Sequence, residues 1–272
     1  MSDSVAASSE ARSPSRHASA TAAWHDLDVR LAAAGIDDDA DDAFATWRRL
    51  RAVVGRRATV VDLYALVARQ RGLAASDLPL PERRQLAGQA FAVMYPGFET
   101  TPGSDRAPEA VEVVPYDPAW AARFERWRER LATELRDVAV RIEHVGSTAV
   151  PGLDAKPVID IQVSVRDLAR EELYVPPMEA LNLQLRSRDA EHRFLRPSAW
   201  LPRDVHVHVC VVDSAWEREH LLFRDHLRAD SQARDEYAAL KREAATTWRD
   251  DRVGYTEAKT ALILDMLDAA TK

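Results

Sequence analysis

The segment His144-Val145-Gly146-Ser147-Thr148-Ala149-Val150-Pro151-Gly152-Leu153-Asp154-Ala155-Lys156-Pro157-Val158-Ile159-Asp160-Ile161-Gln162-Val163 concentrates the residue types that handle phosphate and metal ions. Backbone N–H groups and two hydroxyls at Gly146, Ser147 and Thr148 can receive a phosphate or carboxylate. The bland alternative is a tight turn capped by its own side chains. Lys156 follows the Pro-Gly loop and leads into an apolar strand that carries one carboxylate, Asp160. That carboxylate can hold a metal ion or move a proton, or it can be tied up in a buried ion pair with Lys156 or an arginine. Strand alternation puts residues 160 and 162 on one face. Position 162 is Gln, so one strand position lacks the charge that two-metal phosphoryl transfer normally draws on. A single Mg²⁺ can still sit between Asp160, waters and substrate phosphates.

A second constellation lies at Val205 to Val212. His206, His208 and Cys210 alternate with valines and share a strand face. Two imidazoles and a thiolate can chelate zinc. Zinc sites usually add a separate ligand, however, and His144 and His192 lack motif spacing. His206 and His208 therefore read as polar lining beside Asp160, with His208 as an acid/base. Cys210 reads as a small buried residue. Further on, Arg224 and Arg228 are four residues apart, as are Tyr237 and Lys241. From Arg224 to Lys259 cations and anions balance at eight each, which is the composition of salt-bridged helix faces rather than of a basic patch.

The elements that must position these residues follow from the apolar pattern of the 272-residue chain. Residues 1–21 read as a disordered Ser/Ala/Arg tail without the apolar centre of a secretory signal. Residues 22–98 read as a small all-helical segment. Phe44, Trp47, Leu50 and Val54 form one stripe stopped by Gly55. Val60, Leu63, Tyr64 and Val67 form a second, ending at Gly72, and Pro81 opens a third. The run Asp37 to Asp42 lacks the Gly and terminal Glu of a calcium loop and suits the start of a helix. Residues 99–110 read as a linker. The domain 111–272 opens with a strand at Val111–Val114. A long amphipathic helix carries Trp120, Phe124, Trp127, Leu131 and Leu135. Strands follow near Val138–Glu143, Val158–Val165 and Val205–Val212, then helices near Ser214–Arg228, Ser231–Arg249 and Thr256–Ala270. This order predicts an α/β or α+β layer fold. The net charge of −7 argues against broad nucleic-acid binding. One cysteine excludes an intramolecular disulfide and fits a reducing cytoplasm. No stretch has the ~20 apolar residues of a membrane span.

The segment around Gly146 to Gln162 resembles the signature of the GrpB-like family, a branch of the nucleotidyltransferase superfamily. The resemblance continues in Tyr116-Asp117-Pro118-Ala119-Trp120 and in His206-Val207-His208-Val209. It extends through Leu221 to Arg228, Tyr237 to Lys241 and Tyr255 to Lys259, covering about residues 111–272. It implies a nucleotidyltransferase-like mixed sheet with flanking helices. It favours Arg224, Arg228, Lys241 and Lys259 as converging on an anionic ligand, a nucleotide or other phosphorylated small molecule, and implies little about the reaction. The residues themselves offer nucleotidyl or phosphoryl transfer through Asp160 and Mg²⁺. With Gln162 in place of an acid, the alternative is a non-catalytic binding or interaction module whose N-terminal helices dock a protein partner. In some bacteria such a domain is fused to a dephospho-coenzyme A kinase. This chain contains no Gly-x4-Gly-Lys-Ser/Thr, and residues 22–98 lie outside the resemblance.

Overall fold

The computed structural model describes residues 27–37, 42–101 and 109–271. The expected N-terminal tail, Asp38 to Asp41, and positions 102–108 of the expected linker lie outside the described residues.

The N-terminal segment forms four helices: α1 (Leu27–Ala33), α2 (Ala43–Val54), α3 (Val60–Arg69) and α4 (Leu80–Met94). Asp42 caps α2, its carboxylate accepting from Ala45 N at 3.0 Å. Gly55 ends that helix with φ +61°, a conformation that costs glycine little. At the start of α3, Asp62 accepts from the Thr59 backbone N–H at 2.7 Å and pairs with buried Arg30. Trp47, Leu50, Leu63 and Tyr64 are fully buried. Their core is completed by Ala244, Trp248 and Tyr255 from the far end of the chain.

Strand β1 (Glu99–Thr100) begins where the linker was expected. It pairs with β4 (Leu183–Arg188) at the edge of a six-stranded sheet. The remaining strands are β2 (Arg141–Val145), β3 (Ile159–Val165), β5 (His192–Pro197) and β6 (Val205–Val211). The order is β1-β4-β5-β6-β3-β2, with β3 and β6 parallel and all other neighbours antiparallel. The expected strand at Val111–Val114 does not form. Only Val114 makes a bridge, to Ala155, while the Val111 N–H is spent on the Arg249 carbonyl.

Strict alternation in β3 and β6 divides the sheet chemically. Ile159, Ile161, Val163, Val205, Val207 and Val209 pack against α5 (Ala119–Leu135) and α6 (Glu171–Ala180), chiefly through Trp120, Phe124, Leu131, Tyr174 and Met178. The opposite face carries Asp160, Gln162, Ser164, His206, His208 and Cys210. Above it run α7 (Ala215–Ala229) and α8 (Ser231–Thr247). The expected last helix is two pieces, α9 (Arg252–Glu257) and α10 (Thr260–Ala270), with Lys259 at the break. No helix among the described residues is long and apolar enough to cross a membrane.

Candidate functional site

The polar sheet face is built in rows by the strand register. Val145, Asp160 and His206 form one row, and Glu143, Gln162, His208 and Phe194 the next. Side chains opposite one another across a ladder point to the same side, so Asp160, His206 and His208 meet. One ligand atom of each lies within 4.8 Å of the other two. His206 Nδ1 is 3.1 Å from Asp160 Oδ1, and His208 Nε2 is 3.7 Å from the same oxygen.

The other carboxylate oxygen lies against Gly146. A Cβ on that glycine would fall 2.5 Å from Asp160 Oδ2, and its φ is +68°. Only glycine satisfies both conditions. Burial alone would raise the pKa of Asp160, but its contacts with His206 and His208 outweigh that and hold it well below the usual carboxylate range. Burial pushes His206 down to about 4, so the cluster pairs a carboxylate with a neutral imidazole. The tautomer follows from Arg203, whose Nε donates to His206 Nε2 at 3.0 Å. An arginine only donates, so the ring proton is on Nδ1 and faces Asp160.

His208 is held from behind. Its Nδ1 is 3.0 Å from His192 Nε2, and His192 Nδ1 is 3.6 Å from Asp189. His192 in turn stacks on Trp216 of α7, centroids 4.9 Å apart, and the Trp216 ring stacks on His220 at 3.7 Å. Gln162 is 0% exposed, and neither its Oε1 nor its Nε2 has a hydrogen-bond partner. A buried amide with both ends unpaired is costly and calls for a ligand or water beside it.

On the helical side three lysines gather. Lys156 Nζ lies 4.7 Å and Lys259 Nζ 3.6 Å from the Tyr255 ring centroid, and Lys241 Nζ lies 5.5 Å from that of Tyr237. Lys241 and Lys259 are 1% and 6% exposed. Each donates to one carbonyl, Lys241 to Asp154 O at 2.5 Å and Lys259 to Tyr255 O at 2.6 Å. Among the described residues none of the three pairs with a carboxylate within 4.0 Å. Burial lowers all of them, Lys156 to about 8 and Lys241 to about 7, with Lys259 well below its ordinary value. Repulsion from its neighbours adds to the shift of Lys241 and Lys259. All three feel the charge of Asp160.

Other residues expected at the site are placed differently. Thr148 is buried, its hydroxyl donating to Val158 O at 3.2 Å and standing 3.0 Å from His144 Nε2. With its one proton spent on Val158 it must accept from His144, which stacks on Phe124 on the apolar side. Arg224 binds Glu143 at 2.8 Å and the His144 carbonyl at 3.0 Å, and Arg228 binds the Ala149 carbonyl at 2.9 Å. These arginines clamp the Gly146–Thr148 loop from behind instead of joining the lysines. Ser147 stays with the cluster, within hydrogen-bonding reach of Tyr237. Cys210 is buried and its thiol pushed up to about 12 by burial. Sequence reasoning gave no role to Arg203, Asp189 or Trp216, which lack motif spacing, and quoted Tyr255 only as part of the Tyr255 to Lys259 block. It set His192 aside for the same reason.

A mixed six-stranded sheet flanked by helices, with one apolar and one polar face, defines an α/β protein whose candidate site lies on the polar side. The chain belongs to the GrpB protein family, whose sequence profile matches residues 110–269. It is 43% identical over 159 residues to a UPF0157 protein of Streptomyces coelicolor, covering 58% of this chain and 83% of that one. A protein named dephospho-CoA kinase from Mycolicibacterium paratuberculosis is 35% identical over 210 residues, which are 68% of this chain and 51% of that one. The crystal structure of the conserved protein GrpB from Enterococcus faecalis superposes with a TM-score of 0.53 at 31% identity, covering 58% of this chain and 96% of that one.

Proposed function

We propose that the pocket between the polar sheet face and α8–α10 binds a phosphorylated small molecule, a nucleotide being the class that fits its chemistry. The observation that carries this reading is the cluster of buried Lys241 and Lys259 with half-buried Lys156, none of them paired with a carboxylate among the described residues. Removing an ammonium from water costs several kcal/mol unless an anion compensates it. Charging all three lysines at once makes that cost large, as their lowered pKa values reflect, and a phosphate or diphosphate is the compact anion that offsets it. Ser147 and Thr148 N–H at the open start of their 3₁₀ turn add donors of the kind anions accept. Binding is favoured over transfer because Gln162 stands where a second strand carboxylate would be, and the carboxylate beside it in that row, Glu143, is bound by Arg224.

Calorimetric titration with pyrophosphate and with nucleoside di- and triphosphates, in the presence of a chelator, tests the reading. Lys241→Gln and Lys259→Gln should each weaken binding tenfold or more. Loss of one charge-assisted contact costs about 1.5–3 kcal/mol. Affinities equal to wild type in both variants would remove the lysine cluster from the site. Pyrophosphate release that disappears in Asp160→Asn would move the reading from binding to transfer.

A further inference from the structure

The donor set around Asp160 disagrees with Mg²⁺. Magnesium takes oxygen ligands in near-ideal octahedra and is usually held by carboxylates and phosphates. Here the converging atoms are one carboxylate oxygen and two imidazole nitrogens. Imidazole suits zinc, iron, copper and nickel, and two histidines with one carboxylate on a common face is a transition-metal arrangement. We propose that Asp160 Oδ1, His206 Nδ1 and His208 Nε2 form a three-ligand site for a divalent transition ion of the zinc class, with a fourth position open toward Gln162 and the lysines.

Spacing supports it. Metal–ligand bonds of about 2.0–2.1 Å in a tetrahedron place neighbouring ligand atoms about 3.3 Å apart. The two distances to Asp160 Oδ1, 3.1 and 3.7 Å, lie on either side of that value. The surroundings of His208 support it independently. Metal-binding histidines donate their second ring N–H to an acceptor, and that acceptor to another, fixing ring and tautomer. Asp189, His192 and His208 form such a chain, ending at His208 Nε2. The unpaired amide of Gln162, fully buried in the adjacent row, is a third indication that the pocket receives a group.

His206 imposes a condition. In the metal-free chain Arg203 holds its proton on Nδ1. An ion at Nδ1 moves that proton to Nε2, where it meets the Arg203 N–H, and Arg203 must turn to other contacts. Arg203 is therefore a positioning residue that opposes metal, and Arg203→Gln, which can accept from Nε2–H, should bind metal more tightly than wild type. That direction is not expected of an adventitious surface site.

The ion would share the pocket read above as an anion site and rests on that reading for the pocket's ligand-facing role. The test uses metal alone. Chelator-stripped protein in a phosphate-free buffer is titrated with Co²⁺, followed by its visible absorption, and then with Zn²⁺ in competition. One equivalent should bind, and millimolar Mg²⁺ should not displace it. His208→Gln should weaken binding roughly a hundredfold or more, since even outer partners contribute 10–100-fold. His192→Phe keeps the ring against Trp216 and should weaken it about 10–100-fold, while Cys210→Ser should change nothing. Thermal melts of each variant separate lost binding from lost fold, and His192→Phe with Arg203→Gln decide the matter if His208→Gln does not fold. Lack of Co²⁺ binding by wild type, equal affinity in His208→Gln, or displacement by Mg²⁺ would overturn the site. Pyrophosphate binding in chelator stands or falls separately.

Discussion

Lys241 shows what the pocket demands of a single residue. Its ammonium lies under Tyr237 with one carbonyl partner, and burial brings its pKa down to about 7. In the unfolded chain it titrates near 10.4. Between those values the unfolded state binds more protons than the folded state, so stability rises with pH across that window. The penalty is fully present below about pH 7. Anion binding has the opposite dependence, because it needs the charged lysine, and should weaken as pH rises through about 7 to 8. Two measurements check this. Melting of the ligand-free protein should show a smaller gain from pH 7 to 9 in Lys241→Met than in wild type. Affinity for sulfate, which does not itself titrate there, should fall over the same range. A stability profile in Lys241→Met parallel to wild type would remove the depressed ammonium from the account. The lysine was legible in the sequence as a candidate, but its burial was not, because that depends on α8, α9 and the Gly146 loop closing over one another.

At the scale of elements, the loop after β2 depends on α7. Arg224 joins the helix to Glu143 and the His144 carbonyl. The family resemblance implied that it converges with Arg228 on a ligand. Register decides otherwise, since β2 pairs with the far edge of β3 and brings Glu143 beneath the helix. Arg224→Met should keep the apolar stem, lower stability by about 1–3 kcal/mol through the unpaired Glu143 and carbonyl, and reduce anion affinity only through a loosened loop. Chemical denaturation and pyrophosphate titration of the same variant separate the two effects. A larger loss of affinity than either lysine variant shows would return Arg224 to the ligand. The strands β3 and β6 were legible because both alternate strictly between apolar and polar residues. By contrast β4 and β5 were not. They carry Arg186, Arg188, Arg193 and Arg196, of which Arg188 and Arg193 pair with Glu171, and β4 is bulged between Leu185 and Ser187. Helix α6 was hidden by Pro176 and Pro177 in its interior, which sequence reasoning treats as helix-breaking.

Across the whole molecule, the boundary between the helical segment and the family-matched region is bridged by a common core. Trp248 sits 4% exposed with its ring 5.8 Å from that of Tyr64, and Arg83 reaches Asp250 and Asp251 at 2.9 and 3.2 Å. Gly254 is fixed by the same tryptophan, since a Cβ there would come within 2.6 Å of its ring. The turn leading to Tyr255 and Lys259, which form one wall of the lysine cluster, thus rests on α3 and α4. The segment outside the family match therefore supports the site from behind without lining it. Trp248→Ala should cost about 3–5 kcal/mol, as for other buried large aromatics. In the wild type, loss of helix and of sheet on heating should coincide, because neither side buries its apolar surface alone. Hydrogen exchange read separately in α3 and in β3 checks this, and Trp248→Ala should accelerate both. An α3 that exchanges far faster than β3 in wild type, with β3 unaffected by Trp248→Ala, would make the helical segment an independent unit and detach it from the pocket.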